Sequence, residues 1–198
     1  MLIFSDINLV FFETPKTASI ALHAALSPHA DIVFGGPSNM RHFSPRRFQM
    51  KMLPMMMDHY WDTPPKTTAV IRNPIDWLGS WYRYRQRDEL VRHPNSTRDM
   101  SFNSFANSYM SSEKQPFSNV GQQSKFLANA DKNYPDDLWR FDALDTYCAY
   151  LSRKLNVEIE LEKINVSNQY DISISAETMS ALTDYFAKDF ELYEGARS

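Results

Sequence analysis

The chain has 198 residues, a length typical of one globular domain with a sizeable core, and we predict a single domain over residues 1–198. Hydrophobic residues make up 43% and charged residues 23% of the chain, a composition that excludes a disordered or fibrous protein. The formal net charge of −3 argues against broad nucleic-acid binding, although it permits a local basic pocket.

The cysteine content and the N-terminal residues favour a cytoplasmic location. Cys148 is the only cysteine, which favours a reducing compartment over a disulfide-bonded or cysteine-ligated metal protein. The first apolar run carries Asp6, Asn8 and Glu13 and lacks the basic region and cleavage site of a signal peptide. No apolar stretch approaches the roughly 20 residues that span a bilayer. We therefore expect a cytoplasmic protein with no membrane partner.

In the first third of the chain, apolar runs predict a strand followed by helices. Leu9–Phe12 is a short apolar run typical of a buried strand, and residues 18–26 follow with helical spacing. Ser44 and Pro45 predict an N-cap and the first position of a helix, which Pro54 should interrupt.

The remainder of the chain repeats this alternation. Residues 67–71 form a second β-branched run that ends at Arg72, and Asn73 with Pro74 predicts the start of a helix reaching about Asp88. We predict four further elements, namely a helix capped by Ser101, a strand over 138–141, a helix holding Tyr147 to Leu155, and a closing helix over 176–193. Alternating strands and helices predict a three-layer α/β/α fold with a mostly parallel central sheet.

The segment after the first predicted strand has features of a phosphate-binding loop. It runs from Glu13 through a tight turn into a helix, whose first N–H groups are unpaired and attract an anion. Lys16 adds a cation, and Thr17 and Ser19 add hydroxyl donors. The Walker pattern GxxxxGK[ST] is absent, which counts against an ordinary ATPase or GTPase. On this pattern alone, a solvated Lys16 with Thr17 as a helix cap explains the residues equally well.

A second candidate for anion binding follows the second predicted strand. Arg72 stands at the C-terminal end of that strand, where open α/β sheets bind ligands. Its planar guanidinium suits a phosphate better than a lysine would. Ser80, on the following helix, is a candidate hydroxyl donor to the same group.

Taken together, the two segments resemble the sulfotransferases that use 3′-phosphoadenosine 5′-phosphosulfate (PAPS), particularly their carbohydrate-type branch. That family pairs a 5′-phosphosulfate loop of the form PKTGGTS or PKTAST with a 3′-phosphate element of the form RNPxxRxxS. Residues 15–19 are similar to the first motif, and residues 72–74 with Ser80 are similar to the second at the family's interval. Ile20 and Trp77 depart from the pattern, which usually has a hydroxyl residue and an arginine there.

Further segments extend the resemblance over most of the chain, namely residues 40–45, 123–127, 138–142, 161–167 and 189–193. The resemblance implies a P-loop-like nucleotide-binding architecture and PAPS as cofactor with PAP as product. It also implies in-line sulfuryl transfer to a hydroxyl or amine of a small-molecule or carbohydrate acceptor. The implied cofactor-binding residues are Pro15, Lys16, Thr17, Ala18, Ser19, Ile20, Arg72 and Ser80. We expect no metal, because His29, His59 and His93 lack carboxylate or histidine partners at ligand spacing.

The resemblance also implies roles for individual residues. Lys16 would neutralise charge on the leaving group, while Arg72 and Ser80 would hold the 3′-phosphate. His42 is our first choice for the general base and Glu13 the second. A histidine that caps the helix starting after Ser44 is the structural alternative for His42.

Other readings of the sequence stay open. A non-catalytic protein on a decayed sulfotransferase fold would explain Ile20 and Trp77, and a small-metabolite kinase would use the same loop with ATP and Mg²⁺. Arginines and tyrosines alternate over residues 82–87, a composition that would also suit an RNA-binding module. This spacing spreads the arginines around a helix, so we expect one or two near the phosphate site and the rest solvated. We expect the Met-rich residues 50–57 to be core rather than an acceptor surface.

Overall fold

The computed structural model describes residues 1–162 and 172–198 and is built on a five-stranded mixed sheet. The strands are β1 (Leu2–Phe4), β2 (Leu9–Phe12), β3 (Ile32–Val33), β4 (Lys66–Ile71) and β5 (Asp137–Arg140). Their order across the sheet is β3-β1-β2-β4-β5. The β2–β4 and β4–β5 pairs are parallel, whereas β1 pairs antiparallel with both β2 and β3.

The helices complete an α/β fold, as the sequence predicts. The α-helices of the described residues are α1 (Ser19–Leu26), α2 (Ser38–Arg41), α3 (Pro45–Lys51), α4 (Leu53–His59), α5 (Pro74–Tyr84), α6 (Phe102–Met110), α7 (Gln123–Leu127), α8 (Leu144–Leu155), α9 (Ala176–Tyr185) and α10 (Ala187–Glu194). None of the helices within these two stretches is both long and apolar enough to cross a membrane.

The prediction of a mostly parallel sheet is wrong, because the N-terminus forms a hairpin. β1 turns back into β2 through a tight turn in which the Asn8 N–H donates to the Ser5 carbonyl at 3.0 Å. Asn8 adopts a left-handed φ of 49°, a conformation that asparagine tolerates better than most residues. β3 has two residues, Ile32 and Val33, too few to show a period in the sequence. Two antiparallel pairings therefore accompany the two parallel ones.

Both faces of the sheet are covered, an arrangement compatible with three layers. Alternate strand residues such as Val10 and Phe12 pack with α3, α4 and α7, while Phe11 and Val70 pack with α1 and α8. The residues of the central strands β1 and β2 are almost completely buried, as expected for strands covered on two sides. A third cluster joins α5, α6 and α9 around residues such as Trp77.

Local capping signals identify the helix starts correctly. The Asn73 side chain accepts hydrogen bonds from the N–H groups of Ile75 and Asp76, and Pro74 opens α5. Ser44 and Ser101 likewise cap α3 and α6. Helix ends are less well predicted, since α5 stops at Tyr84 rather than near residue 88 and the closing helix breaks at Phe186.

Two polar side chains, those of Asp189 and Gln123, connect α10 to the end of β4. The buried Asp189 carboxylate accepts hydrogen bonds from the N–H groups of Gln123 and Ser124 at 3.1 and 3.0 Å, at the start of α7. The Gln123 side chain in turn accepts from the Arg72 N–H at 3.0 Å and donates to the Arg72 carbonyl at 2.8 Å. The backbone at the end of β4 is thus held by α7, and α7 is held by Asp189.

We expect Asp189→Ala to reduce the free energy of unfolding by about 1–3 kcal/mol, because it leaves two buried N–H groups of α7 without an acceptor. Urea denaturation monitored by circular dichroism measures this loss. Asp184→Ala, which removes an exposed carboxylate from α9, is the control and should change stability by less than about 0.5 kcal/mol. Equal effects of the two substitutions would contradict the capping role.

Candidate anion-binding site

The predicted phosphate loop and Arg72 emerge at the same edge of the sheet. β2 and β4 are parallel neighbours, with Phe12 opposite Ala69. The loop that begins at Glu13 follows β2, and Arg72 follows β4 directly. Because the carboxyl ends of adjacent parallel strands form the usual ligand crevice of an open α/β sheet, the fold places both segments where a ligand would bind.

The loop has an unusual backbone that leaves the start of α1 open. Lys16 has a φ of 68° and Ala18 a φ of 56°, and each non-glycine residue in this left-handed region costs about 1–2 kcal/mol. Ala18 is the N-cap of α1 and provides no side-chain cap, and the first turn carries no acidic residue. The N-terminal dipole of α1 is thus available to an anion.

The hydroxyl groups predicted to bind phosphate have partly different roles. The Thr17 hydroxyl donates to the Thr14 carbonyl at 2.8 Å, so its single proton braces the loop internally. Ser19 is buried, and its carbonyl accepts from Arg41. Ile20, which replaces a hydroxyl residue of the family pattern, is 48% exposed. The backbone of the loop, more than these side chains, therefore provides donors.

Positive charge is concentrated around Lys16. Burial, together with the positive charges of Arg87, Arg72 and Arg83, lowers the pKa of Lys16 to about 8. Burial and the charge of Arg83 also lower the pKa of Arg72, against the opposing effect of Asp76. These cations destabilise one another in the absence of an anion, a charge distribution that is typical of anion-binding sites. As expected from the sequence, only part of the 82–87 arginine segment acts here.

Arg72 sits on a hydrophobic platform and retains hydrogen-bonding capacity. Its guanidinium carbon lies 4.3 Å from the ring centroid of Phe141, and within the described ranges its buried Nε atom has no hydrogen-bond partner. The buried Thr14 hydroxyl, at the end of β2, is also without a partner there. Unsatisfied polar atoms at both strand ends fit a site that is completed by a polar ligand.

Helix α5 holds the loop from one side. The Trp77 indole N–H donates to the Pro15 carbonyl at 2.9 Å, and the Lys16 ammonium nitrogen lies 4.2 Å from the Tyr84 ring centroid and 5.5 Å from that of Trp81. Trp77 is only 2% exposed. At position 77 the sequence shows only a tryptophan where the family that it resembles usually has an arginine. The hydrogen bond from Trp77 to the loop could not be deduced from that difference.

His42, the first-choice base, is attached to the start of the loop. Its Nδ1 atom lies 2.6 Å from the Glu13 backbone carbonyl oxygen. A carbonyl only accepts, so Nδ1 carries the proton and Nε2 is the basic nitrogen of the neutral ring. Burial, partly offset by the hydrogen bond to Glu13, lowers the pKa of His42, which keeps the ring neutral near pH 7.

The Glu13 carboxylate, the second-choice base, lies in an ion cluster. It is fully buried and contacts the Met1 ammonium group at 2.6 Å, Arg41 Nε at 2.8 Å and His23 Nδ1 at 2.9 Å. Burial alone would raise the pKa of Glu13, but these partners hold it below its ordinary value. Glu13 is therefore an ionised anchor whose oxygens are already occupied.

The other residues that the sequence singled out have different environments. Ser80 lies on α5 and is 7% exposed. Arg85, expected to be solvated, is instead buried and donates to the Pro116 carbonyl at 2.7 Å. The Met-rich segment is divided, since Met56 is in the core while Met50 and Met55 are exposed. Residues 163–167 of the resemblance lie outside the described residues.

Comparisons with protein-family models, with curated proteins and with solved structures gave no match to this chain. The functional argument therefore rests on the residues and on their geometry. In the described parts of the chain, no group of three or more His, Cys, Asp or Glu side chains is placed to hold a metal ion.

We expect Glu13→Gln to lower the free energy of unfolding at pH 7 by about 3–5 kcal/mol, because it breaks a buried ion cluster. A depressed pKa in the folded state means that the carboxylate stabilises the fold above its unfolded pKa and that this contribution disappears as the pH falls through the folded pKa. The difference between wild type and variant should therefore shrink below about pH 4. Urea denaturation across this range measures it, with the exposed Glu158→Gln as control.

Proposed function

We propose that the protein is a sulfotransferase that moves a sulfuryl group from PAPS to an acceptor hydroxyl or amine. One observation carries the proposal. Lys16 and Arg72, which come from the two motifs that resemble the family, follow adjacent parallel strands and influence each other electrostatically. A P-loop-like nucleotide-binding architecture is part of the proposal, since the loop joins a strand to a helix N-terminus, although it lacks the glycines that are usual in such loops.

The cation distribution supports a ligand with two anionic ends. PAPS would supply an activated sulfuryl group at its 5′ end and a phosphate at its 3′ position. Lys16 and the backbone N–H groups at the start of α1 would hold the 5′ end and neutralise charge that develops there. Arg72, with Ser80 on α5, would hold the 3′-phosphate, which is the group that distinguishes PAPS from ATP. The partnerless Nε atom of Arg72 fits this role.

The hydrogen bonding favours His42 over Glu13 as the general base. The Nε2 atom of His42 is the unprotonated nitrogen, and it belongs to a ring fixed beside the loop. Glu13, by contrast, is ionised but held by Arg41 and His23. A sugar hydroxyl as acceptor follows from the resemblance alone. A cytoplasmic location belongs to the same proposal and draws on the single, buried Cys148.

The structure also bears on the alternative of a decayed, non-catalytic relative. Trp77 was one of two departures that favoured this alternative. Its indole is buried and donates to the Pro15 carbonyl, so the tryptophan links the loop to α5. Ile20 remains the departure that could weaken cofactor binding.

Thermal denaturation with PAP, PAPS, ATP and GTP tests the cofactor. PAP at 100 times its dissociation constant should stabilise the fold by about 2.7 kcal/mol, raising Tm by about 5–10 °C. ATP and GTP lack the 3′-phosphate and should do much less. Arg72→Ala should remove most of the preference for PAP, whereas the exposed Arg153→Ala, with the same charge change, should retain it. Equal stabilisation by ATP and PAP would overturn the proposal.

His42→Ala should lower turnover about 10²- to 10⁴-fold while PAP binding and Tm stay close to wild type. Because protonation of His42 would inactivate the base, the acidic limb of the pH–rate profile should disappear in the variant. Release of PAP from PAPS with a panel of hydroxyl and amine acceptors measures turnover, and the exposed His59→Ala serves as control. Near-wild-type turnover of His42→Ala, with collapse in Glu13→Gln, would assign the base to Glu13.

A further inference from the structure

One face of α5 is directed at the loop that carries Lys16. Trp77, Trp81 and Tyr84 are spaced at i, i+4 and i+7, which places them along one side of a helix. Trp77 donates to the Pro15 carbonyl, while Trp81 and Tyr84 contact the Lys16 ammonium group through their rings. The loop therefore has a backbone contact and a side-chain contact with the same helical face.

The hydrogen bond from Trp77 to the Pro15 carbonyl stabilises a strained backbone, because the next residue, Lys16, has a positive φ. Lys16 occupies the left-handed region at a φ of 68°, and such conformations persist only where surrounding contacts hold them. The Trp77 indole is itself immobilised, since it is 2% exposed and packs edge-on against Trp81 and Phe186 at centroid distances of 6.2 and 6.4 Å. A rigid donor thus fixes the peptide group that immediately precedes Lys16.

We propose that Trp77 is a positioning residue that holds the Pro15–Lys16 turn against α5 and so directs the Lys16 ammonium group to the anion that the site binds. The hydrogen bond acts on the ligand only through Lys16 and the loop backbone. The part of the proposal that concerns PAP rests on the proposed function, whereas the part that concerns Lys16 does not.

The test is Trp77→Phe, which removes the indole N–H and retains an aromatic ring. Its matched control is Trp61→Phe, because the Trp61 indole is also buried, at 6% exposure, but within the described residues its N–H has no hydrogen-bond partner. The first readout is the pKa of the Lys16 amine, obtained by competitive chemical labelling over a pH series and mass spectrometry. The second readout is the dissociation constant of PAP.

In wild type, Lys16 should titrate near pH 8, since partial burial and the positive charges of nearby arginines lower its pKa. Trp77→Phe should shift this titration upward toward an ordinary lysine, because the released turn moves Lys16 into solvent. It should also weaken PAP binding about fivefold, because the ligand must then order the released turn, at a cost comparable to that of one hydrogen bond. Trp61→Phe should change neither value, even if it lowers Tm.

An unchanged Lys16 titration in folded Trp77→Phe would overturn the proposal, as would an equal shift in Trp61→Phe. If Trp77→Phe does not fold, 3-benzothienylalanine at position 77 keeps the ring shape, removes only the N–H donor and should give the same upward shift. If wild type binds no PAP, the proposed function fails, while the Lys16 titration still decides the role of Trp77.

Discussion

The buried carboxylate of Glu13 is the constraint on which the loop and its surroundings depend. A charge without solvent contact is costly unless cations and hydrogen bonds compensate it, and Arg41 provides both. The same guanidinium donates through Nη2 to the Ser19 carbonyl at 2.8 Å, so one side chain fixes both ends of the loop. The Glu13 carbonyl then orients the ring of the neighbouring His42. Satisfying one buried charge thus brings α2 against the loop.

Two different kinds of interaction therefore hold the loop, one from α2 and one from α5. On the α2 side the interaction is ionic, through Glu13 and Arg41, and on the α5 side it is a neutral hydrogen bond from Trp77 with aromatic contacts to Lys16. This dual attachment explains how a loop without glycine maintains left-handed backbone at Lys16 and Ala18. Glycine would relieve the strain, but its greater freedom in the unfolded chain would also make the loop costlier to order.

The sequence predicts those structural features that depend on residues close together in the chain. The strand Leu9–Phe12 and the caps Ser44 and Asn73 follow from apolar runs and local side-chain hydrogen bonds, and the structure has them. The sequence did not predict the mixed sheet, because β1 and β3 have only three and two residues and strand direction is set by pairing across the chain. The sequence also did not predict where α5 ends, and the carbonyls near this end accept hydrogen bonds from Thr97, which is distant in the chain.

In the candidate site, too, the sequence predicts what depends on nearby residues and does not predict contacts between distant ones. Lys16 and Arg72 could be assigned to one edge of the sheet, because the strands that precede them are recognisable and parallel. The ionic partners of Glu13 could not, since Arg41 is 28 residues away and nothing local links the two. The role of Trp77 could not be predicted either. The sequence shows only a tryptophan where the family that it resembles usually has an arginine, and the fold is needed to see that the indole donates to the Pro15 carbonyl.

The concentration of cations at one edge has a kinetic consequence. The whole chain carries a formal net charge of −3, so Lys16 and its arginine neighbours form a positive region on an otherwise acidic molecule. Such a charge distribution directs a diffusing anion toward the crevice and repels it elsewhere, which raises the association rate at low ionic strength. Salt shortens the range of this attraction to about 8 Å under physiological conditions. Capture of an anionic ligand should therefore slow with added salt far more than its release accelerates.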